Sequence, residues 1–287
     1  MEKFIPFGDN YSNYLNHRLG KQFNFIYDEN NPDYLIYTPK GNNYLNHKWN
    51  NCIKIAYFGE NCIVNFEQAD YGMGNHHIIY LDRYFKMPLF PRVLNNYFHK
   101  YNTTDFFYIR QKVLKNKLKK KFCAAVISNY VFTDNFRLNF IEKLNSYKKV
   151  DMGGKYHNSI GGIPVKDKIQ FLSSYKFSIA MENTSGDGYL SEKIIESFLA
   201  GTIPIYYGDY MLEEYINPKS YILIKGIQDL DIKIEYIKKI DKNDILYKDI
   251  LKEKILFDKS LVEDFYKTYD EFLINIFKQG KNMAKRK

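Results

Sequence analysis

The first third of the chain consists of short apolar runs separated by Asn-rich polar turns. Phe23–Tyr27 and Tyr34–Tyr37 read as strands, split by the turn-forming stretch Asp28-Glu29-Asn30-Asn31-Pro32. Ile53–Phe58 reads as a third strand, stopped by Gly59, and Ile78–Leu81 as a fourth. From Phe122 the pattern changes. Phe122–Ser128 is a near-continuous apolar run, which suits a strand buried on both faces of a parallel sheet. Helical spacing over 135–147, 167–174 and 190–200 then alternates with strand-like runs over 176–181 and 202–207. Such alternation predicts βαβ units. Near the C-terminus Leu261, Val262, Phe265, Tyr269, Phe272, Leu273 and Ile276 form one apolar stripe at helical spacing.

Composition sharpens this picture. The chain has 287 residues, room for one large domain or two ordinary ones. Aromatics reach 17%, enough ring surface to fill a sizeable core and to exclude intrinsic disorder as the main description. Three cysteines, Cys52, Cys62 and Cys123, are odd in number and unclustered. That argues against a disulfide framework or a zinc site and favours a reducing cytoplasm. No stretch resembles a signal peptide or a membrane span. The net charge of +9 admits nucleic acid, anionic lipid or a phosphorylated small molecule as a partner. Two basic clusters stand out, Lys112–Lys121 and Lys281–Lys287, but no zinc-finger or RNA-binding aromatic signature accompanies them. Nucleic acid is therefore not expected. The polar and basic stretch 100–121 marks the junction of two domains, 1–115 and 116–287, the second carrying the C-terminal amphipathic helix.

The most informative segment is Lys176–Asp209, a strand, a Gly-containing loop, a helix, a Gly cap at Gly201 and a second strand. Helix N-termini after such loops can receive anions. Lys193 falls in the first helical turn, where the helix dipole disfavours a cation. Either Glu192 and Glu196 offset that cost, or a bound anion does; the plainer alternative is a surface lysine paired with Glu196. Pro204 inside the second strand is a tension, because proline belongs at strand starts and edges.

This segment resembles the donor-binding signature of the α-1,3/4-fucosyltransferases, glycosyltransferase family 10, in their bacterial form. The matching residues are Tyr175-Lys176-Phe177, Glu182-Asn183, Tyr189-Leu190-Ser191-Glu192-Lys193 and Ile203-Pro204-Ile205-Tyr206-Tyr207-Gly208. Lys54–Asn61, Ala69-Asp70-Tyr71, Asp82-Arg83-Tyr84 with Met87-Pro88-Leu89, and Cys123–Asn129 followed by Arg137 resemble further family segments. Together they cover roughly residues 50–225. The resemblance implies an α/β, GT-B architecture: two Rossmann-like domains with the active site in the cleft between them. It implies GDP-β-L-fucose as donor and inverting transfer to a hydroxyl of an acceptor glycan, α-1,3 to GlcNAc in an N-acetyllactosamine-type or lipopolysaccharide acceptor; the alternatives are a GT-B transferase using a different nucleotide sugar and a non-catalytic binder of anionic polymer or membrane. By motif, Arg137 and Lys193 would hold the diphosphate, and Asn183, Tyr189 and Glu192 would line the donor pocket. Glu60 matches the general base, with Glu67 and Asp70 as nearby alternatives.

Some positions depart from the family pattern. Asn75-His76-His77 replaces a hydrophobic-acidic continuation, a change that could bear on acceptor choice. Asp229-Leu230-Asp231 has the form of a cation-holding motif but lies in a late polar segment, read as a loop or helix start. No metal site is expected and no cation is obligatory, a divalent ion being at most stimulatory. The stripe from Leu261 and the tail Lys281–Lys287 have two readings. One is peripheral contact with the inner leaflet of a bacterial membrane; the other is a helix packed on the domains with a frayed tail.

Overall fold

The computed structural model describes residues 2–5, 9–38, 41–106, 121–128, 135–255 and 260–286. Most of the basic run, residues 112–120, lies outside these, as do Asn129 and Lys287.

The strands and helices follow in the order β1 (Glu2–Ile5), α1 (Asp9–Leu19), β2 (Phe25–Tyr27), β3 (Tyr34–Tyr37), β4 (Ile53–Phe58), β5 (Tyr71–Gly74), β6 (Tyr84–Lys86), α2 (Phe90–Tyr101), β7 (Lys121–Ala125), α3 (Phe136–Asn145), β8 (Val150–Met152), α4 (Lys168–Leu172), β9 (Tyr175–Met181), α5 (Lys193–Leu199), β10 (Ile203–Tyr207), β11 (Ile222–Leu223), α6 (Leu230–Lys242), α7 (Asp244–Lys252), α8 (Leu261–Lys278) and α9 (Lys281–Ala284). The strands build two sheets, one ordered β2-β1-β3-β4-β5-β6 and the other β11-β10-β9-β7-β8. Every recorded strand pair is parallel. The chain divides into two compact units, Met1–Pro88 with Ser260–Lys287, and Leu89–Lys259.

This division corrects the expected boundary of 1–115 and 116–287. The C-terminal helix belongs to the first unit, because its stripe is what covers the first sheet. Tyr269, Leu273, Ile276 and Phe277 of α8 share a core with Leu15 and Leu19 of α1 and with Phe25, Tyr34, Ile36, Ile53 and Ile55. Phe277 sets its ring edge-on to Phe25 and Tyr34, with centroids 4.9 and 5.0 Å apart. Burying each such side chain contributes about 1.5–3 kcal/mol, so this stripe decides where the helix docks. The opposite face of the sheet packs Leu35, Tyr37, Ala56 and Phe58 against Trp49 and Val64. β3 and β4 are thus buried on both sides, as central parallel strands are.

The expected strand over Ile78–Leu81 does not form. Ile79 and Leu81 are exposed, and the strands here are β5 and β6. β5, Tyr-Gly-Met-Gly, carries two glycines, and a Cβ on Gly72 would lie 2.6 Å from Val64 Cγ1. The glycine therefore serves close packing within a strand. The tail is not frayed through Arg286. Lys281 pairs with Asp33 at 3.4 Å, Lys285 Nζ donates to Cys52 O at 2.6 Å, and Arg286 pairs with Asp82. Asp33, Cys52 and Asp70 precede β3, β4 and β5, so the tail docks along the N-terminal ends of these strands.

In the second unit the run 122–128 supplies β7, an interior strand. The helix expected over 190–200 starts later, at Lys193, and spans seven residues. Its end is a Schellman motif: Gly201 takes φ +65°, its N–H bonds Phe198 O at 2.8 Å, and Thr202 N–H bonds Ser197 O at 3.1 Å. The Pro204 tension resolves through β11, which pairs only with Ile205 and Tyr206. Pro204 lies before that ladder begins.

Candidate functional site

The site of the second unit forms where β9 and β10 end and α5 begins. In parallel α/β sheets this carboxyl end is where ligands bind. Glu182 N–H donates to Tyr207 O at 2.7 Å, extending the β9–β10 pairing by one bond and fixing Glu182 and Asn183 at the sheet rim.

The Glu182 carboxylate is fully buried. One oxygen accepts from Ser191 N at 2.9 Å, and the Ser191 hydroxyl lies 2.7 Å from both oxygens. Lys193 Nζ donates to the second oxygen at 2.7 Å and to Ser191 Oγ at 3.0 Å. The cation in the first helical turn is therefore offset chiefly by Glu182, eleven residues upstream. Glu192 lies farther off, at 3.9 Å, and Glu196 pairs with Lys168 at 2.6 Å. The expected Lys193–Glu196 surface pair is not the observed arrangement, since side chains from β9, α4 and α5 meet here. Burial alone would lower the Lys193 pKa, but the Glu182 and Glu192 carboxylates outweigh burial and the repulsion of Arg137, holding it above its ordinary value. Burial, with Glu182 nearby, pushes the Tyr206 phenol well up. A Cβ on Gly208 would lie 2.6 Å from Glu182 Cγ, so a glycine is required there for the carboxylate to fit.

Arg137 comes from the first turn of α3 and is 3% exposed. Its Nη1 donates to Asn183 Oδ1 at 3.1 Å and to Met181 O at 3.4 Å. The structure thus brings Arg137, Asn183 and Lys193 together, as the motifs suggested, and adds Glu182 and Ser191. Tyr207 stacks on Phe136 beside Arg137, centroids 4.2 Å apart.

The remaining expected residues are placed differently. Tyr189 is 3% exposed, packed in the loop before α5, its carbonyl 3.5 Å from the Tyr206 hydroxyl. Glu192 is half-buried at the N-cap of α5, and Lys193 pulls its carboxyl below the usual value although burial acts the other way. It borders a cavity of about 430 Å³ that Arg92, Asn96, Tyr97 and Lys100 of α2 line from the other side. Burial, with the Glu196 and Asp167 carboxylates, pushes the Tyr97 phenol up to about 12.

Glu60 belongs to the other unit. It is exposed, two residues beyond the C-terminal end of β4. The buried Asn75 holds this turn, its Nδ2 lying 3.4 Å from Phe58 O and 3.5 Å from Glu60 O. Glu67 is exposed as well. Asp70 is fully buried and bonded to Lys54 N at 2.8 Å, Arg286 N at 2.7 Å and Lys285 Nζ at 3.3 Å. A carboxylate so occupied, before β5 rather than after it, closes the fold and is not available as a base.

For a cation, Asp187 and Asp209 of the second unit offer carboxylate oxygens within 4.8 Å of each other. Two carboxylates can hold a hard divalent ion only where water or phosphate completes its shell. Asp229-Leu230-Asp231 forms a helix start, with Asp229 at the N-cap of α6 and Asp231 paired to Lys143 at 2.5 Å.

Residues 116–267, more than half of the chain, match the model of the glycosyltransferase family 10 (fucosyltransferase) C-terminal region. The chain belongs to glycosyltransferase family 10. Residues 2–92 match the N-terminal domain of α-(1,3)-fucosyltransferase FucT. The chain is 33% identical over 231 residues to the α-(1,3)-fucosyltransferase FucT of Helicobacter pylori, covering 72% of this chain and 48% of that protein. It spans about half or less of the length of the curated relatives it matches. Its fold is similar to a crystal structure of an α1,3-fucosyltransferase, with TM-score 0.74, 26% identity, and coverage of 94% of this chain and 90% of the other. A crystal structure of an α1,3-fucosyltransferase with GDP-fucose gives TM-score 0.71 at 27% identity, covering 93% and 88%. The fold is thus that of the family 10 GT-B enzymes.

Within this family 10 chain the sequence reading missed Glu182 and Ser191 as members of the site. Both stand inside the family-like motifs of the segment 176–209. The available signal was a buried-strand end carrying a carboxylate with no cation nearby in sequence.

Proposed function

We propose that this chain transfers L-fucose from GDP-β-L-fucose to a hydroxyl of an acceptor glycan with inversion, forming an α-1,3 linkage to GlcNAc in an N-acetyllactosamine-type or lipopolysaccharide acceptor. The observation that carries the reading is the cluster at the carboxyl end of β9, where Arg137 and Lys193 converge beside Asn183. Arg grips phosphate through a planar fork and Lys as a point charge, a pairing suited to a leaving diphosphate. The solved relative with GDP-fucose supports the choice of donor.

In this mechanism Glu60 takes the proton of the acceptor hydroxyl. The acceptor oxygen forms a bond to the fucose anomeric carbon as the bond from that carbon to the phosphate oxygen breaks. GDP leaves with the electron pair, and Arg137 and Lys193 stabilise its charge. No cation is obligatory, because two protein cations already face the departing group; Asp187 and Asp209 are where a stimulatory ion would sit. A reducing, cytoplasmic setting fits three free cysteines. The stripe of α8 is buried and Lys285 and Arg286 are paired, so any peripheral membrane contact would use other residues. Mass spectrometry of an acceptor-glycan panel incubated with GDP-fucose tests the proposal. A gain of one deoxyhexose on a lactosamine-type glycan is expected. No gain on any glycan, with donor intact, would refute it.

A further inference from the structure

We propose that Glu182 is a positioning residue for the donor diphosphate, holding the Lys193 ammonium in place through a three-way contact with Ser191. The inference rests on the donor reading above. Adjacent residues Glu182 and Asn183 each hold one of the two cations, by different chemistry. Asn183 holds Arg137 with a neutral amide oxygen, which leaves the guanidinium charge uncompensated by that contact. Glu182 holds Lys193 with a charged oxygen at 2.7 Å, in a pocket that leaves the lysine side chain 19% exposed and the carboxylate 0%.

A lysine on a four-carbon stem has many rotamers, and fixing one for phosphate contact requires a partner. The partner is rigid here. Glu182 continues the β9–β10 ladder through its N–H, packs against Gly208, and receives Ser191 N–H and hydroxyl on its other bonds. Two of the three ammonium protons point to Glu182 and Ser191, leaving the third for a ligand. The charged groups facing Lys193 are Glu182 from the end of β9, Glu192 at the N-cap of α5, and Arg137 from α3. Of the two carboxylates Glu182 is the nearer, so it is the one that keeps a partly buried amine charged beside a second cation.

The test compares GDP with guanosine by calorimetry across alkaline pH, because both share the titration of the base and differ in the diphosphate. In the wild-type protein the tighter binding of GDP should persist beyond the ordinary lysine range, because Lys193 is held above it. In Glu182→Gln the same preference should be lost about one pH unit or more lower, because the amine has lost its counter-charge. A merely structural role would lower the melting temperature without moving this limb. Should Glu182→Gln not fold, Glu182→Asp keeps the charge but draws it back by one methylene. That variant should retain the wild-type pH limb and release GDP from GDP-fucose about tenfold more slowly. An unmoved limb in Glu182→Gln, or unchanged GDP release in Glu182→Asp, overturns the inference. Wild-type protein that binds GDP no better than guanosine refutes the donor reading instead.

Discussion

Asp70 and Glu182 are both fully buried carboxylates beside parallel strands, and they do opposite work. Asp70 stands before β5, at the amino end of its sheet, and is occupied by Lys54 N–H, Arg286 N–H and Lys285. Glu182 stands after β9, at the carboxyl end, and is occupied by Ser191 and Lys193. The first ties the C-terminal tail into its unit. The second holds a cation at the end of the sheet where ligands bind. Charge and burial are the same; the end of the strand and the identity of the partner separate a fold-closing charge from a site-building one.

The largest effect should come from the exposed carboxylate at the carboxyl end of β4. Glu60→Gln should lower fucose transfer by about 10²–10⁴-fold while the melting temperature and GDP affinity stay unchanged. Unchanged turnover would remove Glu60 from the mechanism and blur the distinction between strand ends. Next, Arg137→Met should weaken GDP binding by about 10²-fold. Asp70→Ala should show the reverse pattern, a loss of about 3–5 kcal/mol in denaturant unfolding with GDP affinity of the folded protein unchanged. A fall in GDP affinity there would break the comparison.

The smallest effect concerns a third buried carboxylate. Asp241 accepts from Lys148 at 2.5 Å and Tyr147 at 3.0 Å, and lies 3.4 Å from Lys176. Burial would raise its pKa, but these partners hold it below the ordinary 3.8. A depressed carboxyl stabilises the fold above its unfolded pKa and loses that contribution as pH falls through the folded value. Stability should therefore drop below about pH 4, and Asp241→Asn should cost about 1–2 kcal/mol at neutral pH while flattening that acid limb. An acid limb identical to wild type would count against the assignment.

Much of this was legible in the sequence because it is local. β3, β4, β9 and β10 follow from apolar runs and Gly201 from its cap position, while Arg137, Asn183 and Lys193 were singled out only by the resemblance to the family's motifs. What was not legible depends on distant packing. β5 carries two glycines, and why a strand holds them shows only when Val64 is seen against Gly72. An amphipathic stripe such as that of α8 announces burial but not which sheet it covers, so the domain boundary was misdrawn. The role of Glu182 is not legible from its motif, because Ser191 and Lys193 reach it only when the loop folds back over the end of β9.

The central claim is that the carboxyl end of the second sheet holds a guanosine diphosphate sugar. Calorimetric titration of the wild-type protein with GDP, UDP and CMP, repeated with Arg137→Met, tests it most directly. GDP should bind more tightly than either pyrimidine nucleotide, and the substitution should remove most of that affinity. Equal binding of all three, or GDP binding indifferent to Arg137, would contradict it.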